Sequence, residues 1–186
     1  MKEFIPKMGG EEIHNGQRGY FKENNYEEIN GNIFEGFENS GDYILHQTNC
    51  TILSKDCSGI AKSIFTLFPD AAIENDIVIH YNDPYIMLGD YSGCDMILNL
   101  YGQFYPGGPK RALDSFDCRI SYLKEGFSKI NKYYKENTIR IPLISSGLAA
   151  DKDKKGKLTD KEYFDKYIKP IVIEFLPDIN VKVYYL

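Results

Sequence analysis

Residues 43–50 read Tyr-Ile-Leu-His-Gln-Thr-Asn-Cys, and a short loop later residues 58–65 read Ser-Gly-Ile-Ala-Lys-Ser-Ile-Phe. This pair of stretches constrains the fold more than any other part of the chain. Tyr43, Ile44 and Leu45 are uncharged strand formers. His46, Gln47, Thr48 and Asn49 then crowd polar groups at the strand's carboxyl end. From Ile60 the period changes: Ile60, Ala61, Ile64, Phe65, Leu67 and Phe68 form one wide helical face, and Pro69 is expected to end the helix. A buried strand, a small polar turn and a helix opening at Gly59 together suit an anionic ligand. The free N–H groups and the dipole at such a helix start both favour negative charge.

The rest of the chain alternates in the same manner. Residues 26–34 read as a strand ending in a turn at Asn30, Gly31 and Asn32. Residues 77–79 and 85–88 are short strand candidates, broken at Asn82-Asp83-Pro84 and Gly89-Asp90. Residues 95–101 read as a buried strand running into a loop of turn formers and aromatics at 102–109. Phe116, Ile120, Leu123, Phe127, Ile130 and Tyr134, spaced 4, 3, 4, 3 and 4, predict a helix capped by Asp114 or Ser115. Residues 138–144 form a further strand ending in the small residues 145–149, and residues 151–157 a charged loop. Thr159 and Glu162 fit a capping box for a helix carrying Phe164, Tyr167, Ile168, Ile171, Val172 and Phe175, kinked at Pro170. Residues 181–186 close with a strand. This order predicts an α/β fold, a three-layer α/β/α sandwich with a central mixed, largely parallel sheet. It occupies residues 26–186, preceded by an extension, residues 1–25, that is polar and glycine-rich with no assignable period.

Composition narrows the chemistry. No apolar run reaches the length of a membrane span and the amino terminus lacks a signal-peptide core, so a cytoplasmic protein without a membrane partner is expected. The four cysteines form no CxxC and only three histidines are present, so no metal site and no cofactor are expected. A net charge of −5 argues against a nucleic-acid footprint. A phosphorylated ligand would therefore be held by local backbone donors, and the two small-residue loops, 49–59 and 145–149, both follow strands. No GxxxxGK[ST] pattern accompanies them. A monomer is expected.

Several motifs carry a family resemblance. His46-Gln47-Thr48-Asn49-Cys50, then Ser58-Gly59-Ile60-Ala61-Lys62, then Phe68-Pro69-Asp70-Ala71 resemble an "H-x-x-N-C … G-[IL]-A … [FY]-P" signature. Asn30-Gly31-Asn32-Ile33-Phe34 resembles a "GDI/GDL" turn, and the segment 98–107 resembles "N-[ML]-[FY]-A-Q-x-Y-P-G". Residues 141–149 are similar to a "P-x-I-G-C-G-L-A" loop. In this order they resemble the macrodomain family, nearest its branch of ADP-ribose-1″-phosphate phosphatases and ADP-ribosyl glycohydrolases.

The resemblance implies ADP-ribose, or an ADP-ribosylated macromolecule, as partner. It places Asn32 and Ile33 at the adenine, with Tyr101, Gly102, Gln103 and Phe104 bordering the adenine or its ribose. Ser58, Gly59 and Ile60 would face the pyrophosphate and Asn49 the distal ribose, with Thr48 a further ligand-binding candidate beside it. Ser145, Ser146, Gly147, Leu148 and Ala149 would wrap the other side of the phosphates and the distal ribose. The catalytic candidates are Asn49, His46 as a general acid/base, and Asp56 orienting a water. Cys50 reads as a packing residue. The chain departs from the pattern at Asn32, where the family has Asp, at Ser145-Ser146 in place of Gly-Cys, and at Ala150-Asp151, where Gly-Gly-x-Trp often follows. The lysine and aspartate of the related glycohydrolases are absent from residues 85–91 and from Ala149. Three readings stay open: hydrolysis of an ADP-ribosyl bond or 1″-phosphate, non-catalytic reading of ADP-ribose, and a lapsed pocket serving protein interaction.

Overall fold

The computed structural model describes residues 25–109 and 114–185. Among these residues six strands, β1 (Tyr26–Asn30), β2 (Tyr43–Asn49), β3 (Tyr91–Cys94), β4 (Ile97–Gln103), β5 (Thr138–Pro142) and β6 (Asn180–Tyr185), form one sheet in the order β1-β6-β5-β2-β4-β3. Neighbours are parallel except β3 and β4, which are antiparallel. Among the described residues seven helices cover the faces: α1 (Gly59–Leu67), α2 (Pro69–Tyr81), α3 (Pro84–Met87), α4 (Phe116–Tyr133), α5 (Lys152–Lys155), α6 (Asp160–Tyr167) and α7 (Lys169–Phe175).

The period-2 alternation of strands divides the core in two. Leu45, Leu98, Leu100, Ile139, Ile141 and Val183 point to one face, packed on Leu123, Phe127, Phe164 and Val172 of α4, α6 and α7. Ile44 and Ile97 point to the other, packed on Ile64, Phe65 and Ala71 of α1 and α2. Strand β4, buried along its whole length, lies under α4 at Gly126, where an added Cβ would stand 2.2 Å from a Leu100 methyl. A side chain there would overpack the layer interface.

The three-layer fold class expected from the sequence is the observed one, with five differences in detail. Residues 77–79 and 85–88 are helical, in α2 and α3, not strands. Pro69 ends α1 as expected, but also opens α2 at its first turn, where its missing N–H costs nothing. Buried Ala71 and Asn75 anchor α2 while Ile73 and Ile77 face outward, so its apolar residues follow no helical stripe. The hairpin strand β3 carries little apolar signal and turns through Asp95 at φ 53°. The charged segment 151–157 contains α5, capped by the Asp151 carboxylate, which accepts from the N–H groups of Asp153 and Lys154. Pro170 separates α6 from α7 outright, whereas the capping box of Thr159 and Glu162 forms as expected. The expectation for residues 1–24 falls outside the described residues. No described helix is long and apolar enough to cross a membrane.

His46 is fully buried on the α1 and α2 side of the sheet, edge-on to Phe65. The Asn99 amide nitrogen donates to the Ala71 carbonyl, leaving its Oδ1 to accept from His46 Nε2 at 2.7 Å. Burial outweighs this bond and pushes the imidazole down to about 4. The folded state therefore holds His46 neutral where the unfolded chain protonates it. Its contribution to stability is complete above the unfolded value of about 6.5 and is lost as pH falls toward 4, with a ceiling of about 3 kcal/mol. Urea unfolding between pH 5 and 7 is expected to show stability rising with pH, and a His46→Gln variant to flatten that rise. Equal slopes for the two proteins count against a neutral buried His46.

Candidate functional site

Strand β2 pairs with β4 along its length but with β5 only at Tyr43–Ile139 and Ile44–Arg140. Beyond those two rungs β2 and β5 diverge. The chain leaves β2 toward β4 on one side and comes back to β5 on the other, so this gap is a topological switch point at the strands' carboxyl ends. A cleft of about 860 Å³ opens there.

Of the residues singled out in the sequence, Thr48, Asn49, Asp56, Ser58, Gly59 and Ile60 line one wall of the cleft. Gln103, Ser145, Gly147, Leu148 and Ala149 line the other parts. Asn32, Ile33, His46, Tyr101 and Ser146 are not in the lining. The Asn32 side chain accepts from the Phe34 N–H in its own turn, and Ile33 is packed with Phe37 and Phe65. Tyr101 is buried with its hydroxyl 3.0 Å from Ser92 Oγ. Ser146 turns its hydroxyl back to the Leu143 carbonyl, and its own carbonyl accepts from Lys155 Nζ at 2.7 Å.

Two backbone features shape the lining. Helix α1 starts at the cleft with Ser58 as an extended N-cap whose side chain makes no capping bond, so the first-turn N–H groups are not taken by a side-chain cap. Gly59 sits at φ +59° with open space where a Cβ would stand, so glycine is required by the backbone angle and not by crowding. Ser145 adopts φ 59° with a Cβ, a conformation that disfavours non-glycine residues by about 1 kcal/mol or more. Its hydroxyl donates to Gln47 Oε1, which offsets part of that cost.

Beneath the cleft lies a residue that the sequence reading did not single out. Arg119 of α4 is buried and pairs through Nε and Nη2 with the buried carboxylate of Asp114. Its Nη1 donates to Gln103 Oε1 and to the carbonyls of Gly107 and Ala149, and Nη2 to the carbonyl of Tyr105. One guanidinium thus ties the loop after β4 to the loop after β5. The only sequence signal was an arginine among the apolar positions of an amphipathic helix. A second buried pair, Arg140 with Asp42, holds the carbonyls of Ile33 and Glu35 and fixes the turn after β1.

The cleft's nucleophile chemistry is subdued. Burial, with a smaller push from Asp114, raises the Cys50 thiol to about 12. Burial, then the Asp76 and Asp56 charges, raises Cys57 at the cleft wall to about 11. Both thiols are protonated at neutral pH. Asp56 presents an exposed carboxylate in the 3-10 turn Ser54–Asp56, while the Asp151 carboxylate is occupied as the cap of α5. Among the described residues no group of three or more His, Cys, Asp or Glu could hold a metal ion.

No protein-family model and no curated protein matches the sequence. Solved structures match in shape. A protein of unknown function from Bacteroides thetaiotaomicron, 18% identical, aligns over 87% of this chain and 98% of its own with a TM-score of 0.63. The macrodomain of Mycobacterium tuberculosis DarG, 13% identical, aligns over 87% and 97% with a TM-score of 0.58. The chain has the macrodomain fold. Thermosipho africanus DarTG, solved in complex with ADP-ribose, is a further match in shape: 12% identical over 86% of this chain and 41% of that one, with a TM-score of 0.56. In this macrodomain fold the cleft between β2 and β5 is bounded by the end of β2, the loop after it and the start of α1.

Proposed function

We propose that this macrodomain binds ADP-ribose, free or attached to a macromolecule, with the diphosphate over the amino terminus of α1 and the distal ribose toward Asn49. The observation that carries the reading is the start of α1, without a side-chain cap and with Gly59 left-handed, opening into the switch-point cleft. A helix start of this kind stabilises phosphate despite the chain's net charge of −5. The cleft's 860 Å³ falls within the range that encloses a ligand of this size. The ADP-ribose complex of the Thermosipho protein, of the same fold, supports the ligand.

Reading is favoured over hydrolysis. His46 is neutral and packed in the core, and both cysteines near the cleft are protonated, which leaves Asp56 to orient a water if turnover occurs. The chain is read as a cytoplasmic monomer that uses no metal. Calorimetric titration with ADP-ribose, with AMP as control, tests the proposal. Saturable binding more than about tenfold tighter for ADP-ribose is expected, with about 2.7 kcal/mol of added stability at 100 times Kd. Absence of heat and of any thermal shift sinks it. Steady release of ADP-ribose from a modified protein would replace the reader with a hydrolase.

A further inference from the structure

Asp76 stands on α2 and does not line the cleft. Its carboxylate grips a single residue with both oxygens. Oδ1 accepts from the Ser54 N–H at 2.6 Å, and Oδ2 accepts from the Ser54 hydroxyl at 2.8 Å. The fully buried Asn75 steadies this carboxylate. Its Nδ2 donates to Asp76 Oδ1 at 3.3 Å, and its own Oδ1 accepts from the Thr48 hydroxyl at 3.5 Å. Among the described residues no cation pairs with Asp76.

Ser54 lies in the middle of the loop that carries the chain from β2 to α1. The loop's start is tied to the strand end beside it: the Cys50 N–H and the Thr51 hydroxyl both donate to the Phe104 carbonyl at 3.3 Å. Its second half is built on Ser54. The turn Ser54–Asp56 closes through the Asp56 N–H to the Leu53 carbonyl at 3.0 Å and the Cys57 N–H to the Ser54 carbonyl at 3.2 Å. Ser58 and the left-handed Gly59 follow, and the first turn of α1 opens without a side-chain cap. The helix start thus takes its place from the turn before it, and the turn takes its place from Asp76. The charge of Asp76 has the wrong sign for a phosphate neighbour. What the carboxylate contributes to an anion site must therefore come through geometry, by two charge-assisted bonds to one serine.

We propose that Asp76 is a positioning residue for the diphosphate: without touching the ligand, it anchors Ser54 and so holds the first turn of α1 where its N–H groups receive phosphate. The role rests on the ADP-ribose reading. Donors already held in place lose little freedom on binding, and that is how the anchor raises affinity. Charge and anchoring make opposite predictions for this residue. If charge dominates, removing the carboxylate relieves repulsion and tightens binding. If anchoring dominates, removing it frees the loop and weakens binding. Asp76→Asn separates the two, because it discards the charge and keeps both bonds. Its amide oxygen accepts from the Ser54 N–H, and its Nδ2 donates to the Ser54 hydroxyl oxygen, which accepts as well as donates.

Calorimetric titration with ADP-ribose, paired with amide hydrogen exchange of residues 51–60 in the ligand-free protein, tests the role. Asp76→Ala is expected to bind about tenfold more weakly than wild type and to exchange faster over 51–60. Asp76→Asn is expected to bind within about threefold of wild type, or more tightly, with wild-type exchange. Rescue by asparagine is the sign of anchoring; a residue that only stabilises the fold lowers the thermal midpoint and leaves the affinity of the folded protein unchanged. Should Asp76→Ala fail to fold, Ser54→Ala carries the test. It keeps the N–H bond and loses the hydroxyl bond, so a loss of about threefold with faster exchange is expected, and wild-type values in both readouts overturn the proposal. Binding by Asp76→Ala as tight as wild type or tighter overturns the anchor while leaving the function intact, and so does unchanged exchange over 51–60. Failure of wild type to bind ADP-ribose sinks the functional reading itself; faster exchange in Asp76→Ala then still supports the anchor of the loop, and equal exchange overturns it.

Discussion

Arg119→Ala is expected to destabilise the protein by about 3–5 kcal/mol, the range for breaking a buried ion pair by removing one partner. The cost arises on both sides of the contact. Asp114 would stay buried with the Phe104 N–H still donating to it, and the carbonyls of Tyr105, Gly107 and Ala149 would each lose a donor. Arg119→Lys is expected to recover little, since an ammonium offers no planar fork to reach Asp114 and two loops at once. Replacing the pair together, Arg119→Met with Asp114→Leu, is expected to cost less than Arg119→Ala because no charge is left unpaired. Denaturant unfolding with an unchanged slope checks this series. A loss below 1 kcal/mol for the alanine variant would mean that the guanidinium does not hold the loops.

Asn49→Ala is expected to weaken ADP-ribose binding about 100-fold, close to 2.7 kcal/mol. Its oxygen anchors the N–H groups of Thr51 and Ile52, so alanine removes both the proposed ribose contact and the turn that positions it. Asn49→Asp separates the two roles. The carboxylate keeps accepting from those N–H groups, so the thermal midpoint is expected to match wild type, but its second oxygen faces the ligand and affinity is expected to fall as far as in alanine. Paired calorimetry and thermal unfolding decide the matter. An aspartate variant that binds like wild type would leave Asn49 a turn residue and nothing more.

The layers of this fold were legible because its strongest segments obey one period each. Strand β2, helix α4 and the capping box of α6 lie where alternation, the 4-3-4-3-4 spacing and the Thr159–Glu162 pair put them. Helix α2 was not legible: its isoleucines follow a strand-like run, and what holds it helical is Pro69 at its start and the packing of Ala71 and Asn75 beneath. Strand β3 was missed because Tyr-Ser-Gly-Cys becomes a strand only by pairing with β4. At the site, residues adjacent in sequence to a strand end or helix start were easy to nominate. His46 was nominated with them, yet strand alternation turns it to the opposite side from Gln47 and Asn49, into the core. Arg119 lies far from the loops in sequence, and its role is visible only once α4 is laid across β4.

The two-rung contact between β2 and β5 also has a mechanical meaning. The sheet is two stiff plates, β3-β4-β2 and β5-β6-β1, joined along a short hinge at Tyr43 and Ile44. From Ile44 to Asn49 the free lever is about 16 Å long at strand rise. A rotation of about 5° at the hinge therefore moves the cleft's lips by about 1.5 Å without breaking a ladder bond elsewhere. Arg119 and the Ser145–Gln47 hydrogen bond are the latches across that lever, so the mouth is held by a few side-chain bonds beside two rungs.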